Sequence, residues 1–411
     1  MEFLSLIIFL IVLYYSFKNL HKTILVIVPI SILFQPYCCI RFDSPAISLL
    51  FSIHVSIIML YSLKNRLFHV WNRFPLKTAF NLIVLVYIIG LIVSPLPTIS
   101  ILPMCFSVLL SYLMVVIYFN EIKNPLDINL STKAFFSAII LLLLYFLYEF
   151  INQSNPFVRF LWNILPIEKE WIYFSEETRF GGIRCQSIMS ICISWGALCC
   201  ISLWGLIYCN WNKHRPLLKS SLFLLLLLGV ISSGSRSAYM FLVVIMLGLI
   251  ISYKGKYKYI IRTIICITII LSMGFIINSV DVLIDEDMSG SNFTQRQSQF
   301  LAVYDILINS PIWGFGIKGL EVVKKNIGAE VLGAESVWLQ QLIYFGLLGV
   351  IQQIVLYVSC YKYIKKYSPL TYLLFGWVLF STMSTSPGLY ETYFLSILLL
   401  FYKTKTFVYD E

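Results

Sequence analysis

The chain has 411 residues, of which 59% are hydrophobic and only 12% are charged, and its mean hydropathy is +0.85. These values exclude an ordinary soluble protein and place the chain among polytopic membrane proteins. The formal net charge is +10, but the basic residues stand in short clusters between apolar runs. That pattern is typical of cytoplasmic loops, so we expect no nucleic-acid partner.

Apolar runs of about 15–25 residues predict transmembrane helices. The chain contains thirteen such runs, which predict an all-α, polytopic integral membrane protein with about 12–13 transmembrane helices. The first run lacks the basic segment and the small-residue cleavage site of a signal peptide, so we interpret it as a retained span. In chain order the runs are 3–17, 23–40, 46–63, 78–95, 98–119, 134–151, 184–209, 220–235, 237–253, 263–280, 337–359, 370–386 and 388–402.

The loops predict the orientation and the domains. Clusters of lysine and arginine at 64–77, 210–219, 254–262 and 361–366 all follow odd-numbered runs, so the positive-inside rule predicts that they are cytoplasmic. The two long loops between other runs are acidic on balance, and we expect both to face outward. Thirteen spans would leave the N-terminus outside, whereas twelve would leave both termini in the cytoplasm. The predicted segments are N-terminal helices at 1–151, a first outward loop at 152–183, central helices at 184–280, a second outward loop at 281–334 and C-terminal helices at 335–411.

Residues typical of metal or nucleotide sites are missing from the predicted outward side. The ten cysteines include no CxxC pair, and we interpret them as small buried hydrophobic residues. The four histidines, His21, His54, His69 and His214, lie in predicted spans or cytoplasmic segments. No GxxxxGK[ST] loop occurs. We therefore predict no cofactor and no metal site.

Arginines are the candidate binding residues. Arg236 stands in ISSGSRSAYMF at 231–241, between two apolar runs, where an arginine is costly unless it lies at the membrane edge or has a function. Arg179, Arg184 and Arg296 belong to the same outward side. Arginine keeps its charge, and its guanidinium donates two parallel hydrogen bonds to phosphate oxygens. This cluster is therefore suited to a diphosphate.

The second outward loop contains two further features. Phe300, Val303, Tyr304 and Leu307 follow a helical spacing that predicts an amphipathic helix. The glycine-rich turn WGFGIKG comes next, and we interpret the pair either as a lid over a cavity or as a loop with a small core of its own. Glu335 then stands at the edge of the next span, where it is suited either to accept a proton or to begin the helix.

The order of these motifs resembles the O-antigen polymerase and ligase superfamily. The resemblance covers roughly residues 175–355, and each motif is weak alone. It rests on RFGGIRCQS before a span, on GSR at 234–236, on Arg296 followed by Pro311, Gly314 and Gly316, and on the stretch from Glu335-Ser336 through Leu339-Gln340 to GLLG at 346–349.

The resemblance implies an integral-membrane glycosyltransferase of the bacterial inner membrane, with an active site that faces the periplasm or the cell exterior. It implies undecaprenyl-diphosphate-linked oligosaccharides as donor and acceptor, arginines that hold the diphosphate, and neither metal nor nucleotide sugar. A chain-length regulator and a flippase are further candidate partners. Within this family Arg236 is the first candidate for the diphosphate contact, followed by Arg184, Arg296 and Arg179, and Glu335 is the candidate catalytic base.

One departure favours a polymerase of O-antigen, capsule or exopolysaccharide. Ligases of the family carry a His-Asn pair where this chain has Glu335-Ser336, and Tyr344 stands where a glutamate is common. The alternatives are a ligase of the same superfamily and a flippase or transporter of lipid-linked oligosaccharide. A transporter is expected to show repeat symmetry and charges within many spans, and the sequence shows neither.

Overall fold

We analysed the chain in a computed structural model. It describes residues 2–33, 49–64, 67–94, 98–157, 159–160, 178–179, 182–189, 191, 192–209, 215–252, 259, 263, 267, 270, 301, 303–304, 308, 310–317, 336–384 and 389–409.

Apart from one short hairpin, the regular elements of the described residues are all helices, which confirms the prediction of an all-α protein. Thr178 of the hairpin pairs with Ile183, and Arg179 pairs with Gly182. The elements are α1 Glu2–Ile30, α2 Leu49–Lys64, α3 Leu67–Arg73, α4 Lys77–Val93, α5 Thr98–Glu121, α6 Pro125–Asn152, β1 Thr178–Arg179, β2 Gly182–Ile183, α7 Cys192–Tyr208, α8 Pro216–Ser232, α9 Arg236–Ser252, α10 Val337–Ile364, α11 Ser368–Thr382 and α12 Leu389–Tyr409.

Several of these helices are long and apolar enough to cross a membrane. Within the described residues the candidate spans are Leu6–Leu33, Ile101–Glu121, Pro125–Asn152 and Val337–Ile364. Helices α3 and α4 form a fifth if the pair, which bends by 116°, is counted as one span. Four shorter apolar helices, α2, α7, α8 and α9, accompany them. The chain is therefore a multi-pass membrane protein.

Helix α6 illustrates how the local sequence sets the bounds of a span. Asn124 caps its first turn by accepting a hydrogen bond from the backbone N–H of Asp127 at 2.9 Å, and Pro125 occupies the first turn, where no N–H partner is required. The apolar run continues to Asn152, and Gln153 then ends the helix in a left-handed conformation with φ 48°. At about 1.5 Å per residue the helix is longer than the apolar core of a bilayer.

The first of two compact units comprises Met1–Phe74, Ser107–Ala238 and Gly388–Glu411. Within it α6 packs against α1, α8 and α12, and α7 packs against α8 and α12. Glycines allow close approach between these helices: a Cβ on Gly229 of α8 would lie 2.8 Å from the Sγ of Cys199 in α7. Small residues at helix contacts are typical of membrane bundles, because helices in a membrane associate mainly through close van der Waals contact.

The second unit comprises Pro75–Phe106 and Tyr239–Pro387. Its helix α10 packs against α4 and α11 and is broken at Gly346, whose φ of 60° and ψ of −149° are adopted readily by glycine alone. The backbone groups freed at this break bond to the segment 310–317. The bonds run from Phe315 N to Ile343 O (2.8 Å), from Leu347 N to Pro311 O (3.0 Å) and from Leu348 N to Ile312 O (3.4 Å).

The glycine-rich turn within the second outward loop is thus a packed segment. Gly314 and Gly316 have φ of 66° and 75°, and a Cβ on either would lie 2.5 Å from a backbone atom, Gly346 N and Ser94 Cα respectively. Val303, from the predicted amphipathic helix, packs against Leu339 and Ile343, whereas Tyr304 is exposed. Of the four predicted apolar positions, Val303 therefore packs against α10 and Tyr304 is exposed, whereas Phe300 and Leu307 lie outside the described residues.

Several predicted boundaries are wrong; for example, α6 begins at Pro125, before the predicted run 134–151. The run 184–209 is not helical throughout, because residues 184–189 form a separate segment and α7 begins at Cys192. The runs 3–17 and 23–40 meet within one helix, α1, which is interrupted at Asn19 (φ −154°, ψ 82°). Most of the run 263–280 and most of both outward loops lie outside the described residues.

Replacing Gly346 by alanine will destabilise the second unit. The substitution places a Cβ 2.6 Å from Ile312 and forces alanine into a conformation that costs about 1–3 kcal/mol by itself. We expect a lower melting temperature for the detergent-purified protein. The control is Leu347→Ala, which truncates a half-exposed side chain one position later. Equal melting temperatures for the two variants would contradict the packing described for this break.

Candidate functional site

The Ser-Gly-Ser turn before Arg236 is a tight connection between α8 and α9. Gly234 has a positive φ of 59°, which glycine adopts without strain. The Oγ of Ser235 accepts a hydrogen bond from the backbone N–H of Ala238 at 3.4 Å and so caps α9. The Oγ of Ser233 donates to Val230 O at 2.7 Å. The short polar residues are therefore required by the turn itself.

Helix α7 packs directly onto this turn. A Cβ on Gly196 would lie 2.6 Å from the Cβ of Ala238 and 2.7 Å from the Oγ of Ser233. Residues larger than serine or alanine on the turn would push α7 away. The absence of large side chains around Arg236, which the sequence shows, is explained by this close approach.

Arg236 is the first residue of α9, and it is half-buried. The N-terminal end of a helix carries a partial positive charge, so a cation there is disfavoured by about 0.3–1 kcal/mol, whereas an anion is favoured. Helix stability therefore does not account for this arginine. Together with the backbone N–H groups of the first turn, it forms an electropositive position.

Arg184 supports the same turn. Its side chain is only 5% exposed, and its Nε donates to Ser233 O at 3.2 Å. The neighbouring backbone N–H of Cys185 donates to Ser232 O at 3.0 Å. The structure thus brings two of the predicted arginines to one turn, Arg184 through a direct contact and Arg236 through its position in the chain.

A buried carboxylate anchors the segment that carries Arg184. Glu149, in the last turn of α6, is fully buried. It accepts hydrogen bonds from Ser187 N at 2.6 Å, from Gln186 N at 3.2 Å and from Asn155 Nδ2 at 2.8 Å. A carboxylate at the C-terminal end of a helix is opposed by the helix dipole, so Glu149 is retained for the loop and not for the helix.

Further bonds fix the anchored segment. Ser187 has a positive φ of 53°, which is strained for a residue other than glycine and persists only where the surroundings hold it. Its Oγ donates to Leu142 O at 2.8 Å, and its carbonyl accepts from Asn155 Nδ2 at 2.8 Å. Segment 184–187 is therefore held rigidly between α6 and the turn.

The other predicted site residues are not brought together by the described residues. The backbone of Arg179 lies in β1, opposite Gly182, and its side chain is outside the description. Arg296 and Glu335 lie outside the described residues. The structure begins again at Ser336, one position before α10.

Comparison with known families adds an independent observation. Residues 221–352 match the model of the family described as O-antigen ligase (Wzy_C). The match supports membership of the chain in the O-antigen polymerase and ligase superfamily. The match begins in α8 and ends in α10, so it includes the turn at Arg236 and the broken helix at Gly346. No curated protein matches the chain.

The superfamily match supports a polysaccharide-related membrane enzyme that acts in O-antigen assembly, with lipid-linked oligosaccharides as its substrates. It confirms the family resemblance that the order of the motifs indicates. Segment 184–187 and Glu149 lie before the matched residues, yet they hold the turn at which the matched region presents Arg236.

The sequence interpretation missed Glu149. The residue is next to last in the run LLLLYFLYEF at 141–150, and an acidic side chain within an apolar span is by default a sign of function. That signal was available. The hydrogen-bond partners of Glu149 could not be predicted, because Gln186 and Ser187 lie 37 and 38 residues away from it in the chain.

Replacing Glu149 by alanine will release the segment that carries Arg184. The change leaves two buried backbone N–H groups without their acceptor, at a cost of about 1–3 kcal/mol for each group. Burial raises the pKa of the Cys185 thiol to about 12, and the thiol is fully buried, so it is protected in the wild type. We expect Cys185 to become reactive towards a maleimide, as located by peptide mass spectrometry.

Asn152→Ala is the matched control for this experiment, because Asn152 lies one turn later in α6 and is exposed. It should leave Cys185 protected. If Cys185 stays unlabelled in Glu149→Ala while that protein remains folded, Glu149 is not the anchor of the segment.

Proposed function

We propose that the protein is a polysaccharide polymerase that joins undecaprenyl-diphosphate-linked repeat units on the outer face of the bacterial inner membrane. The observation that carries the proposal is the position of Arg236, at the electropositive start of α9 on a turn held by Arg184 and, through segment 184–187, by Glu149. This arrangement supports positive charge at the start of α9, within the region that matches the superfamily.

The charges suit a diphosphate leaving group. The guanidinium of Arg236 can donate two parallel hydrogen bonds to phosphate oxygens, and the N-terminal dipole of α9 adds to the attraction. Buried Arg184 adds a second positive charge beside the turn. Because the turn that carries Arg236 is held before the substrate binds, the charge that develops on the diphosphate is stabilised with little rearrangement of the backbone.

The proposed reaction is a glycosyl transfer. An acceptor hydroxyl attacks the anomeric carbon of the donor sugar, a new C–O bond forms, and the bond between that carbon and the diphosphate oxygen breaks. The electron pair leaves with undecaprenyl diphosphate, which the arginines hold. Glu335 takes the proton of the hydroxyl. Arginine supplies the positive charge, so we expect no requirement for a metal ion.

The residues at the start of α10 favour a polymerase over a ligase. The chain has Glu335-Ser336 in place of the ligase pair His-Asn. Tyr344 is half-buried against the cluster of Val303, Leu339 and Ile343, so this position is used for packing and not for a carboxylate. The ligase remains the second candidate because the matching family model is described as O-antigen ligase.

Replacing Arg236 by alanine will abolish polymer formation. Loss of one charged group that stabilises a transition state typically lowers a rate about 100-fold or more. The measurement is a glycan ladder from a deletion strain complemented with wild type, Arg236→Ala or Arg236→Lys, with protein levels checked. We expect single repeat units with Arg236→Ala and partial recovery with Arg236→Lys, which keeps the charge but not the paired hydrogen bonds.

The matched control is Arg159→Ala, which removes an exposed arginine from the predicted first outward loop and should preserve the ladder. The strain without the protein decides between the alternatives. Long chains accumulated on undecaprenyl diphosphate would identify a ligase, and single units confined to the inner leaflet would identify a flippase. A normal ladder with Arg236→Ala would exclude the proposed role of this arginine.

Replacing Glu335 by glutamine will also stop chain growth, because glutamine cannot accept the proton; general bases typically contribute about 100-fold or more. Donor binding should persist, so single lipid-linked units should still copurify with Glu335→Gln. Ser336→Ala is the control, since the structure shows no capping bond from the Ser336 side chain. Wild-type ladders with Glu335→Gln would remove Glu335 from the mechanism.

A further inference from the structure

A polar cavity lies in the first unit, away from the turn at Arg236. It has a volume of about 340 Å³ and lies where α1 is interrupted at Asn19, next to the last residues of α2 and α5. Its charged and polar lining includes Lys18, His21, Tyr61, Lys64, Glu121 and Lys123. The proposed reaction uses none of these residues.

The floor of the cavity is a bonded network. The Nδ1 of His21 lies 2.6 Å from Glu121 Oε2, and its Nε2 lies 2.9 Å from Asp127 Oδ1. A neutral imidazole has a single N–H, so only the doubly protonated, positively charged ring donates to both carboxylates. Tyr61 donates to the second oxygen of Glu121 at 3.2 Å. The carboxylates of Glu121 and Asp127 are thus both hydrogen-bonded to His21, and Glu121 also accepts from Tyr61.

The cavity keeps an excess of positive charge. Lys123 Nζ lies 3.5 Å from Glu121 Oε1, whereas Lys18 and Lys64 have no acidic partner among the residues that the structure describes. His21 and the three lysines together outnumber the two carboxylates. The excess of positive charge therefore favours a ligand with negative charge.

Exposed apolar side chains next to Lys18 and Lys64 in the chain indicate where this ligand comes from. Tyr14, Tyr15 and Phe17 precede Lys18 and are each more than half exposed, and Leu63, next to Lys64, is 84% exposed. In a membrane protein such residues contact lipid tails. Lysines that extend from an apolar surface towards water are placed at the level of the lipid headgroups.

Helix α6 links the cavity to the candidate active site. Asp127, in its first turn, bonds to His21, and Glu149, in its last turn, anchors the segment of Arg184. At 1.5 Å per residue these positions are roughly 33 Å apart, close to the thickness of the apolar core, about 30 Å. The two sites therefore belong to opposite membrane interfaces, and the basic cluster after Lys64 predicts that the cavity is on the cytoplasmic side.

We propose that this cavity binds the phosphate group of an anionic phospholipid of the cytoplasmic leaflet. The ammonium groups of Lys18, Lys64 and Lys123 contact the phosphate oxygens, and the acyl chains lie against the exposed apolar residues of α1 and α2. A lipid headgroup and a soluble phosphate compound both carry a phosphate group. The experiment must therefore distinguish these two sources. The proposal does not rest on the polymerase activity.

The test measures the melting temperature of the full-length, detergent-purified protein during titration with phosphatidylglycerol, phosphatidylcholine or inorganic pyrophosphate. We expect phosphatidylglycerol alone to raise the melting temperature. Each lysine near an anionic lipid contributes about 1 kcal/mol, so Lys18→Gln/Lys64→Gln should weaken the apparent affinity about thirtyfold. Lys18→Arg/Lys64→Arg, which retains both charges, should bind phosphatidylglycerol nearly as the wild type does.

The control variant is Lys362→Gln/Lys365→Gln, which removes two exposed lysines from the end of α10 and should bind as the wild type does. Equal affinities of the two glutamine variants, or an equal response to phosphatidylcholine, would overturn the site. If pyrophosphate stabilises the wild type as strongly as phosphatidylglycerol and Lys18→Gln/Lys64→Gln abolishes this effect, the ligand is a soluble phosphate and the lipid assignment is wrong.

Discussion

The hydrogen bonds of one buried carboxylate hold the candidate site in place. Glu149 accepts from the backbone of Gln186 and Ser187, and segment 184–187 in turn carries Arg184 to the carbonyl of Ser233. An unpaired carboxylate in an apolar environment is very costly, so these bonds must form together if the site is to form at all. The turn before Arg236 depends on them, because Arg184 and Cys185 both bond to it.

Two charges in this region oppose the helix dipoles beside them. Glu149 stands at the C-terminal end of α6 and Arg236 at the N-terminal end of α9, where each is disfavoured for the helix alone. Charges that lower local stability are retained for contacts elsewhere, and such violations of local rules are expected at functional sites. Glu149 has its contact within the protein. For Arg236 we propose a contact with the diphosphate of the substrate.

The sequence predicted the all-α membrane fold and the approximate positions of most described helices, because apolar runs and glycine-containing turns are local signals. It also selected Arg184 and Arg236, since charged residues are conspicuous between apolar runs. It did not predict the loop at 184–189, which was read as part of a span because apolar and small residues occur in both. The break at Gly346 was equally hidden: its cause is the segment 310–317, which bonds to α10 from more than 25 positions earlier in the chain.

The most direct test of the account is an assay with purified protein and the lipid-linked repeat unit extracted from the deletion strain, in the presence of a metal chelator. The account predicts that wild-type protein converts single units into longer lipid-linked chains and releases one undecaprenyl diphosphate for each bond formed, and that Arg236→Ala does neither. Polymer formation that requires an added metal ion, or that proceeds equally with Arg236→Ala, would contradict the claim that fixed arginine charge stabilises the leaving group.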